Sequence, residues 1–324
     1  MTGPRLLIPT GLDVAAVRAS RIDGEVRKLS GATMGTGWSL AFAAAPSVPT
    51  STVNTALEDV FALVIRQMSG WQPGSDLSRF NASAPGWCDI PPEFAFVLDR
   101  ALEIAELTGG AYDPALGAEV DAAGFGPGTL DTPRAGPGWR SLERDAKSGR
   151  VLQPGGVTLD LSSIAKGYAV DLCAGRLRAL GVASFLMEIG GEFVGQGVKP
   201  DAQPWWVQLD LSDMAPAPDE PPQTDVALVN LAVATSGDFV RRSDGASHLF
   251  DGRTRQPVAG PLSGVAVMHA NAMEADAWAT ALFALGLEDG MGMAEAQQLA
   301  AVFAVREASG ARTSLSSGAK AMLG

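Results

Sequence analysis

The sequence predicts an α+β fold with mixed or antiparallel sheets and helices packed on them. The first observation is a strand, turn and helix pattern over residues 263–286, where an alternating apolar segment precedes an Ala-rich segment that ends at Gly286. The second is the helical spacing of apolar residues over 54–68 and again over 92–108. The third is an alternating segment at 157–161 that is followed by a helical pattern.

The composition indicates which classes of protein the chain can belong to. The chain has 324 residues, which is enough for one large or two ordinary domains with a sizeable core. Its apolar fraction of 46% and charged fraction of 19% are typical of a globular protein. The net charge of −12 argues against a nucleic-acid partner, because phosphate-backbone binding needs a basic surface. Cys88 and Cys173 show neither metal-ligand spacing nor a disulfide framework.

The domain organisation follows from where the patterned segments begin and end. We expect an N-terminal extension over residues 1–29, a main domain over 30–310 and a C-terminal tail over 311–324. No apolar segment has the length of a signal-peptide core or of a transmembrane segment. The sequence therefore predicts a cytoplasmic protein, or a periplasmic one if an export signal has been removed.

Turns and loops separate the elements in the first half of the chain. Residues 34–37 are typical of a Gly-rich hairpin turn, and residues 124–138 of a surface loop. Trp71 lies in a predicted loop, where it could stack on a planar ring, although most Trp side chains serve packing. Pro114 holds Asp113 outside the helical region, which predicts a turn that directs the carboxylate outward. An Asx turn is the alternative.

The pattern of residues 155–181 is typical of a phosphate-binding site. A strand at 157–161 leads into a helix that Ser162 or Ser163 could cap, so free N–H groups would lie near Lys166. Lys166 and Asp160 could instead pair with each other. Gly167 in the first helical turn costs stability relative to Ala, which indicates close approach of a ligand or of another backbone.

The second half of the chain is predicted to be mostly strands. The predicted elements are two strands joined at 190–191, an acidic Pro-rich loop or insertion at 200–224, a strand, a turn at 235–238, a further strand, a helix at 293–299 and a short strand before the tail.

Asp276 and Thr280 are four residues apart on the helix predicted within 263–286, so they share one face. A carboxylate and a hydroxyl placed in this way offer two hard oxygen ligands of the kind that Mg²⁺ or Ca²⁺ takes. The alternative is an ordinary helix start, in which an acidic residue complements the helix dipole and Thr280 faces inward.

Six blocks of sequence stand in one order along the chain. They are MGTGW, MSGWQPGSDLSRFN, GAYDP, LDLSSIAKGYAVD, IGGEFVGQG with ATSGDF, and HLFDGRTRQPV with ADAWATALFALG. Together they resemble the ApbE family, the FAD:protein FMN transferases, over roughly residues 30–305. Each block alone is weak evidence for the family, whereas the ordered set of blocks is specific to it.

The resemblance implies a Mg²⁺-dependent enzyme that splits FAD at its pyrophosphate. FMN passes to a Thr or Ser hydroxyl of an acceptor protein with an SGAT-type motif, and AMP leaves. The resemblance also implies two lobes around an FAD cleft. A Mg²⁺-dependent FAD pyrophosphatase, which yields FMN and AMP, and a non-catalytic FAD-binding protein are the alternatives.

The family's site residues correspond to definite positions in this chain. The implied metal ligands are Asp276, Thr280 and the backbone carbonyl of Ser163. The implied FAD contacts are Met34, Trp71, Ala111, Tyr112, Asp113, Asp160 and Lys166. The implied catalytic residues are His248, as general base, and Asp160.

The chain departs from the family's pattern next to His248. The segment usually written Asp-Pro-x-Thr-Gly is here residues 251–255, with Gly252 and Arg255 in place of Pro and Gly. We therefore expect a different turn geometry on the acceptor side. Residues 30–33 spell SGAT, but Arg27 stands where that motif has an acidic residue, so we interpret the match as coincidence.

Overall fold

The computed structural model describes residues 3–13, 15, 17, 22–128, 138–145, 148–238 and 245–324. Its strands are β1 (Arg5–Leu7), β2 (Arg27–Thr33), β3 (Thr36–Ala43), β4 (Gly86–Asp89), β5 (Glu143–Asp145), β6 (Arg150–Gln153), β7 (Ser184–Ile189), β8 (Glu192–Gln196), β9 (Trp205–Gln208), β10 (Thr224–Leu228), β11 (Leu231–Gly237), β12 (Phe250–Asp251), β13 (Gln256–Pro257), β14 (Leu262–His269), β15 (Ala300–Glu307) and β16 (Gly310–Leu315). Its helices are α1 (Thr50–Met68), α2 (Asp76–Asn81), α3 (Pro92–Leu107), α4 (Gly117–Ala122), α5 (Ala165–Ala179), α6 (Ala272–Leu285), α7 (Leu287–Ala296) and α8 (Ser317–Ala321).

Several sheets and helices alternate along the chain, which confirms the predicted α+β class. Within the described ranges, no helix combines the length and the apolarity that a membrane span requires. The chain forms two compact units. The first comprises Met1–Phe61, Lys166–Phe239 and Pro261–Gly324, and the second comprises Ala62–Ala165 and Val240–Gly260. The domain boundaries expected after residues 29 and 310 stay predictions.

The first unit contains an eight-stranded antiparallel sheet with the strand order β16-β15-β14-β11-β8-β7-β3-β2. A smaller sheet, β1-β10-β9, belongs to the same unit. Trp205 and Val226 of the small sheet share a buried cluster with Val233 and Val302 of the large one. The small sheet therefore covers part of one face of the large sheet, and α6 packs on β11 and β14.

The strand, turn and helix predicted over 263–286 are confirmed by β14 and α6. The positive φ of Gly286, 81°, ends α6 in a conformation that glycine adopts at low cost. Most side chains of α6 are buried, and many are alanine, which lets the helix lie close to its neighbours. Asp276 is thereby carried into a buried environment.

The second unit contains α2, α3, α4, the antiparallel sheet β4-β6-β5 and the β12-β13 hairpin. The predicted helices at 54–68 and 92–108 are confirmed as α1 and α3, with α1 beginning at Thr50. The buried amide of Gln67 accepts the N–H of Phe94 at 3.1 Å, and so satisfies one of the free donors at the start of α3.

The predicted strand at 157–161 is wrong, because within the described chain these residues join no sheet. A side-chain amide takes the place of a neighbouring strand. The N–H of Leu159 donates to Oδ1 of Asn81 at 2.8 Å, and Nδ2 of Asn81 donates to the carbonyl of Leu159 at 2.9 Å. The carbonyl of Thr158 accepts the N–H of Gly117 at 2.9 Å. The apolar alternation thus reflects burial of every second side chain and not sheet pairing.

Several segments predicted to be irregular contain regular structure. Strand β9 lies inside the predicted loop at 200–224, and β1 lies inside the expected extension. Residues 235–237 continue β11 and form no turn, α7 begins before the helix predicted at 293–299, and β16 and α8 occupy most of the expected tail. Strand β1 pairs with β10, which lies far along the chain, and β9 pairs with β10 across the Pro-rich connection between them, neither of which local sequence patterns reveal. The strand predicted after residue 238 and much of the loop at 124–138 lie outside the described residues.

Candidate active site

Asp276 lies one helical turn into α6, and 3% of the residue's surface is exposed. Its Oδ2 accepts the backbone N–H of Gly167 at 2.9 Å. One turn later, Oγ1 of Thr280 lies 2.9 Å from Oγ of Ser236 on β11. Both side chains predicted to share a helix face are therefore held by partners outside their own helix.

An ion pair between a partly exposed lysine and a buried carboxylate adds to the charge around Asp276. Nζ of Lys166 contacts Oε1 of Glu192, whose side chain is 3% exposed. Burial raises the pKa of Glu192 to about 8, a shift that Lys166 opposes and the charge of Asp276 increases. Burial would lower the pKa of Lys166, but Asp276 and Glu192 together raise it. The ammonium group of Lys166 thus stabilises the charges of two carboxylates, Glu192 and Asp276. Lys166 forms its ion pair with Glu192 and not with Asp160, the partner that the sequence suggested.

The donor set of this cluster fits a hard divalent cation such as Mg²⁺. Oε2 of Glu192 is buried and has no hydrogen-bond partner among the described residues, which costs free energy unless another group pairs with it. No group of three His, Cys, Asp or Glu side chains in the described ranges is arranged for a metal. Mg²⁺, however, commonly takes one or two carboxylates and completes its shell with water and substrate phosphate. Asp276 and Thr280 meet that requirement.

Helix α5 contacts α6 at two points. A Cβ atom on Gly167 would lie 2.3 Å from the carbonyl oxygen of Ala272 and 2.8 Å from Cβ of Asp276, distances that only glycine avoids. This confirms the close backbone approach predicted at Gly167. The carboxylate of Asp171 accepts the N–H of Ala272 at 2.8 Å and that of Met273 at 2.9 Å. Burial raises the pKa of Asp171 to about 6, against the lowering effect of those two N–H groups.

In the second unit, residues 111–113 form a buried turn after α3. The side chain of Asp113 is 3% exposed, so the predicted outward direction of its carboxylate is wrong. The alternative, an Asx turn, is confirmed, because the N–H of Ala115 donates to Oδ1 of Asp113 at 2.7 Å. Burial raises the pKa of Asp113 to about 6, although the Ala115 N–H and the guanidinium of Arg255 lower it.

The raised pKa of Asp113 predicts a pH-dependent contribution to stability. A carboxyl group with a higher pKa in the folded chain favours folding when protonated, so its contribution is lost as the pH rises from 3.8 through about 6. When the pH rises from about 4.5 to about 7, the unfolding free energy of both proteins should fall. We expect that of Asp113→Asn to fall by roughly 2 kcal/mol less than that of the wild type. Urea unfolding at the two pH values measures the difference, and equal losses in both proteins would contradict it.

The departure at residues 251–255 is accommodated by close packing on this turn. A Cβ atom on Gly252 would lie 2.3 Å from the carbonyl oxygen of Gly110 and 2.5 Å from Cβ of Asp113. Arg255 adopts a left-handed conformation with φ 58°, which usually favours glycine. Its guanidinium forms an ion pair with Glu119 and lies 3.8 Å from Oδ2 of Asp113. These contacts offset the backbone strain at Arg255.

Ser163 and Tyr112 meet in the second unit. The hydroxyl of Ser163 donates to the hydroxyl of Tyr112 at 3.1 Å. Oδ1 of Asp160 accepts the N–H of Ser162 at 2.8 Å. The role of the Ser163 carbonyl as a metal ligand stays a prediction, as does the FAD contact and catalytic role of Asp160.

The remaining predicted residues lie on turns and loops. Met34, with φ 49°, lies in the tight turn between β2 and β3, which confirms the hairpin predicted there. Trp71 lies between α1 and α2 with 66% of its surface exposed. His248 is half-buried, and the centre of its ring lies 6.0 Å from that of Phe125 in an edge-on arrangement. Their contacts with FAD or an acceptor stay predictions.

A model of the ApbE family matches residues 34–303, which is most of the chain. The chain belongs to the ApbE family. Two relatives are named FAD:protein FMN transferase. The one from Vibrio cholerae is 32% identical over 314 residues, covering 91% of this chain and 92% of the relative. The one from Haemophilus influenzae is 29% identical over 330 residues, covering 94% of each.

Solved ApbE structures share the fold. The apo flavinyl transferase ApbE of Pseudomonas stutzeri matches with a TM-score of 0.82 at 30% identity, covering 94% of this chain and 98% of that one. The flavin transferase ApbE of Vibrio cholerae matches with a TM-score of 0.83 at 30% identity, covering 92% and 100%. The resemblance that the six sequence blocks indicate is thus confirmed, and this ApbE chain is an enzyme of the transferase class.

Three residues beside the predicted site were not predicted from the sequence, although each lies in one of the ApbE blocks. Glu192 follows the Gly-Gly bend in an apolar hairpin, a setting in which an acidic residue is buried with a partner. Asp171 lies four residues after Gly167 and therefore on the same face of α5. The position of Ser236 on β11 was not predicted, because residues 235–238 were expected to form a turn.

Proposed function

We propose that this protein transfers FMN from FAD to a Thr or Ser hydroxyl of an acceptor protein in a Mg²⁺-dependent reaction that releases AMP. The observation that carries the proposal is the buried carboxylate of Asp276, which Gly167 fixes one helical turn from Thr280. The names of the relatives support the choice of flavin substrate and of a protein acceptor.

In the proposed reaction the acceptor hydroxyl oxygen forms a bond to the phosphorus of the FMN half of FAD. The bond from that phosphorus to the bridging oxygen breaks, AMP leaves with the bridging oxygen, and the hydroxyl proton passes to a base. Phosphoryl transfer of this kind depends on positioning and charge neutralisation more than on covalent help from the enzyme. A charged cluster whose carboxylates are buried and held by hydrogen bonds suits that requirement.

The residues proposed to hold Mg²⁺ are Asp276, Thr280 and the backbone carbonyl of Ser163. When bound, Mg²⁺ would screen the pyrophosphate charge and polarise its P–O bonds. The helix keeps the oxygens of Asp276 and Thr280 one turn apart. If Thr280 donates its hydroxyl hydrogen to Ser236, its lone pairs remain available to a cation.

The residues proposed to bind FAD are Met34, Trp71, Ala111, Tyr112, Asp113, Asp160 and Lys166. The exposed ring of Trp71 offers a face for an aromatic ring of the dinucleotide. The side chain of Lys166 is 27% exposed, so its ammonium group can reach a phosphate while it remains paired with Glu192. The N–H groups at the start of α5 add donors for the same charge.

One assay separates the proposed transferase from its two alternatives. The full chain is incubated with FAD, Mg²⁺ and an acceptor domain that carries an SGAT-type motif. A fluorescent acceptor band on a denaturing gel supports the transferase. Release of AMP at the same rate without acceptor supports a pyrophosphatase, and FAD that stays bound and intact supports a binding protein.

His248 is the proposed general base, with Asp160 as the second catalytic residue. A neutral imidazole has a pKa near the working pH and can take the proton of the incoming hydroxyl. We expect His248→Ala to slow transfer to the acceptor by about 100-fold or more and to change the dissociation constant of FAD by less than about twofold. Gel fluorescence and equilibrium FAD titration measure the two effects, and parallel losses in both would count against a base.

A further inference from the structure

Asp171 has an unusual position for a residue that caps a helix. It lies within α5, yet its two carboxylate oxygens accept the first two N–H groups of α6, from Ala272 at 2.8 Å and Met273 at 2.9 Å. Asn271, the N-cap residue of α6 itself, makes no side-chain capping bond. Ala272 and Met273 are themselves buried, and within the fold their N–H groups are satisfied by the carboxylate of Asp171.

The same face of α5 contacts α6 a second time, one turn away. Gly167 and Asp171 are four residues apart, and so are their partners Asp276 and Ala272. The Gly167 N–H fixes the carboxylate of Asp276, while Asp171 fixes the start of the helix that carries it. Two contacts at matching spacing determine both the rotation of α6 and its displacement along α5.

We propose that Asp171 is a positioning residue that fixes α6 so that Asp276 and Thr280 are placed for a divalent cation. Asp171 does not touch the cation and acts through the backbone of α6. The inference rests on the proposed function, because it assigns the purpose of the contact to the proposed metal site.

The alternative is a cap that stabilises the fold without affecting the site. Ser316 provides a matched control for that role. It is fully buried in the same unit, and its hydroxyl caps α8 by accepting the N–H of Ala319 at 3.3 Å. The same hydroxyl accepts the N–H of Ala301 at 2.9 Å and donates to the carbonyl of Leu299 at 2.7 Å, so its loss is at least as costly to the fold as loss of a cap alone. Ser316→Ala therefore removes a buried helix cap that lies on another helix and contacts neither Asp276 nor Thr280.

The test measures Mn²⁺ binding to the full chain by electron paramagnetic resonance, without FAD. We expect Asp171→Ala to weaken Mn²⁺ binding by about tenfold or more, as loss of a group that orients a metal ligand does. Asp171→Asn keeps one acceptor oxygen and should recover part of the affinity. Ser316→Ala should lower the thermal midpoint and leave the Mn²⁺ affinity unchanged.

Hydrogen exchange gives a second readout that needs no metal. The amides of Ala272 and Met273 should exchange faster in Asp171→Ala than in the wild type, and in Ser316→Ala they should not. Should Asp171→Ala fail to fold, Asp171→Asn carries the test, with affinity below wild type expected. Wild-type Mn²⁺ affinity in the folded Asp171 variants would overturn the positioning role alone, whereas a wild type that binds no Mn²⁺ would overturn the proposed metal site.

Discussion

Replacing Asp276 by Asn is expected to reduce Mg²⁺-dependent transfer of FMN by about 100-fold or more, because it removes the one carboxylate among the proposed metal ligands. The fold should survive, since the Asn carbonyl oxygen can still accept the N–H of Gly167 that Oδ2 of Asp276 accepts at 2.9 Å. Lys166 also keeps its ion pair with Glu192. Initial rates over a range of Mg²⁺ concentrations measure the effect, and the far-ultraviolet circular dichroism spectrum checks the fold.

Glu274→Gln is the matched control for this change. Glu274 precedes Asp276 by two residues on α6, so the two side chains point to different faces of the helix. The substitution also removes one negative charge from the same helix. We expect its rate to stay within about twofold of the wild type, because the effect of an acidic residue near a helix N-terminus is small. Wild-type turnover of Asp276→Asn at saturating Mg²⁺ would show that the metal assignment is wrong.

The sequence predicted the parts of the site that local patterns define. The alternation in β14, the absence of Pro and Gly from α6 and the terminal Gly286 are all local signals, and they place Asp276 and Thr280 on one helix face. The Gly-Gly bend between β7 and β8 was equally clear. Each of these features depends on residues within a few positions of one another, which is why one sequence suffices to find them.

Features that depend on distant partners were missed or misassigned. Asp171 caps a helix that begins 101 residues later, and no local sequence pattern around Asp171 predicts this contact. The alternation at 157–161 suggested a strand because sequence cannot show that Asn81 satisfies the backbone there. Asp113 was expected to point outward because Pro114 holds it outside the helical region, whereas contact with Gly252 and Arg255 buries it.

Gly167→Ala is expected to damage both the fold and the site. A Cβ atom there would lie 2.3 Å from a backbone oxygen of α6 and 2.8 Å from Cβ of Asp276, so α5 and α6 must separate. Overpacking of this kind costs about 1–3 kcal/mol, and more where backbone must move. Separation also lengthens the hydrogen bond from the Gly167 N–H to Asp276, so we expect transfer activity to fall by about tenfold or more at temperatures where the variant stays folded.

Gly175→Ala, on the same helix, is the matched control for Gly167→Ala. A Cβ atom at Gly175 meets no atom of the described residues within 4 Å, so we expect the substitution to gain only the higher helix propensity of Ala, about 0.5–1 kcal/mol. The two glycine-to-alanine changes should therefore shift the thermal midpoint in opposite directions. Because both changes replace glycine by alanine within α5, the difference between them mainly reports the contact of α5 with α6. A Gly167→Ala variant as stable and active as Gly175→Ala would show that the two helices do not need this close approach.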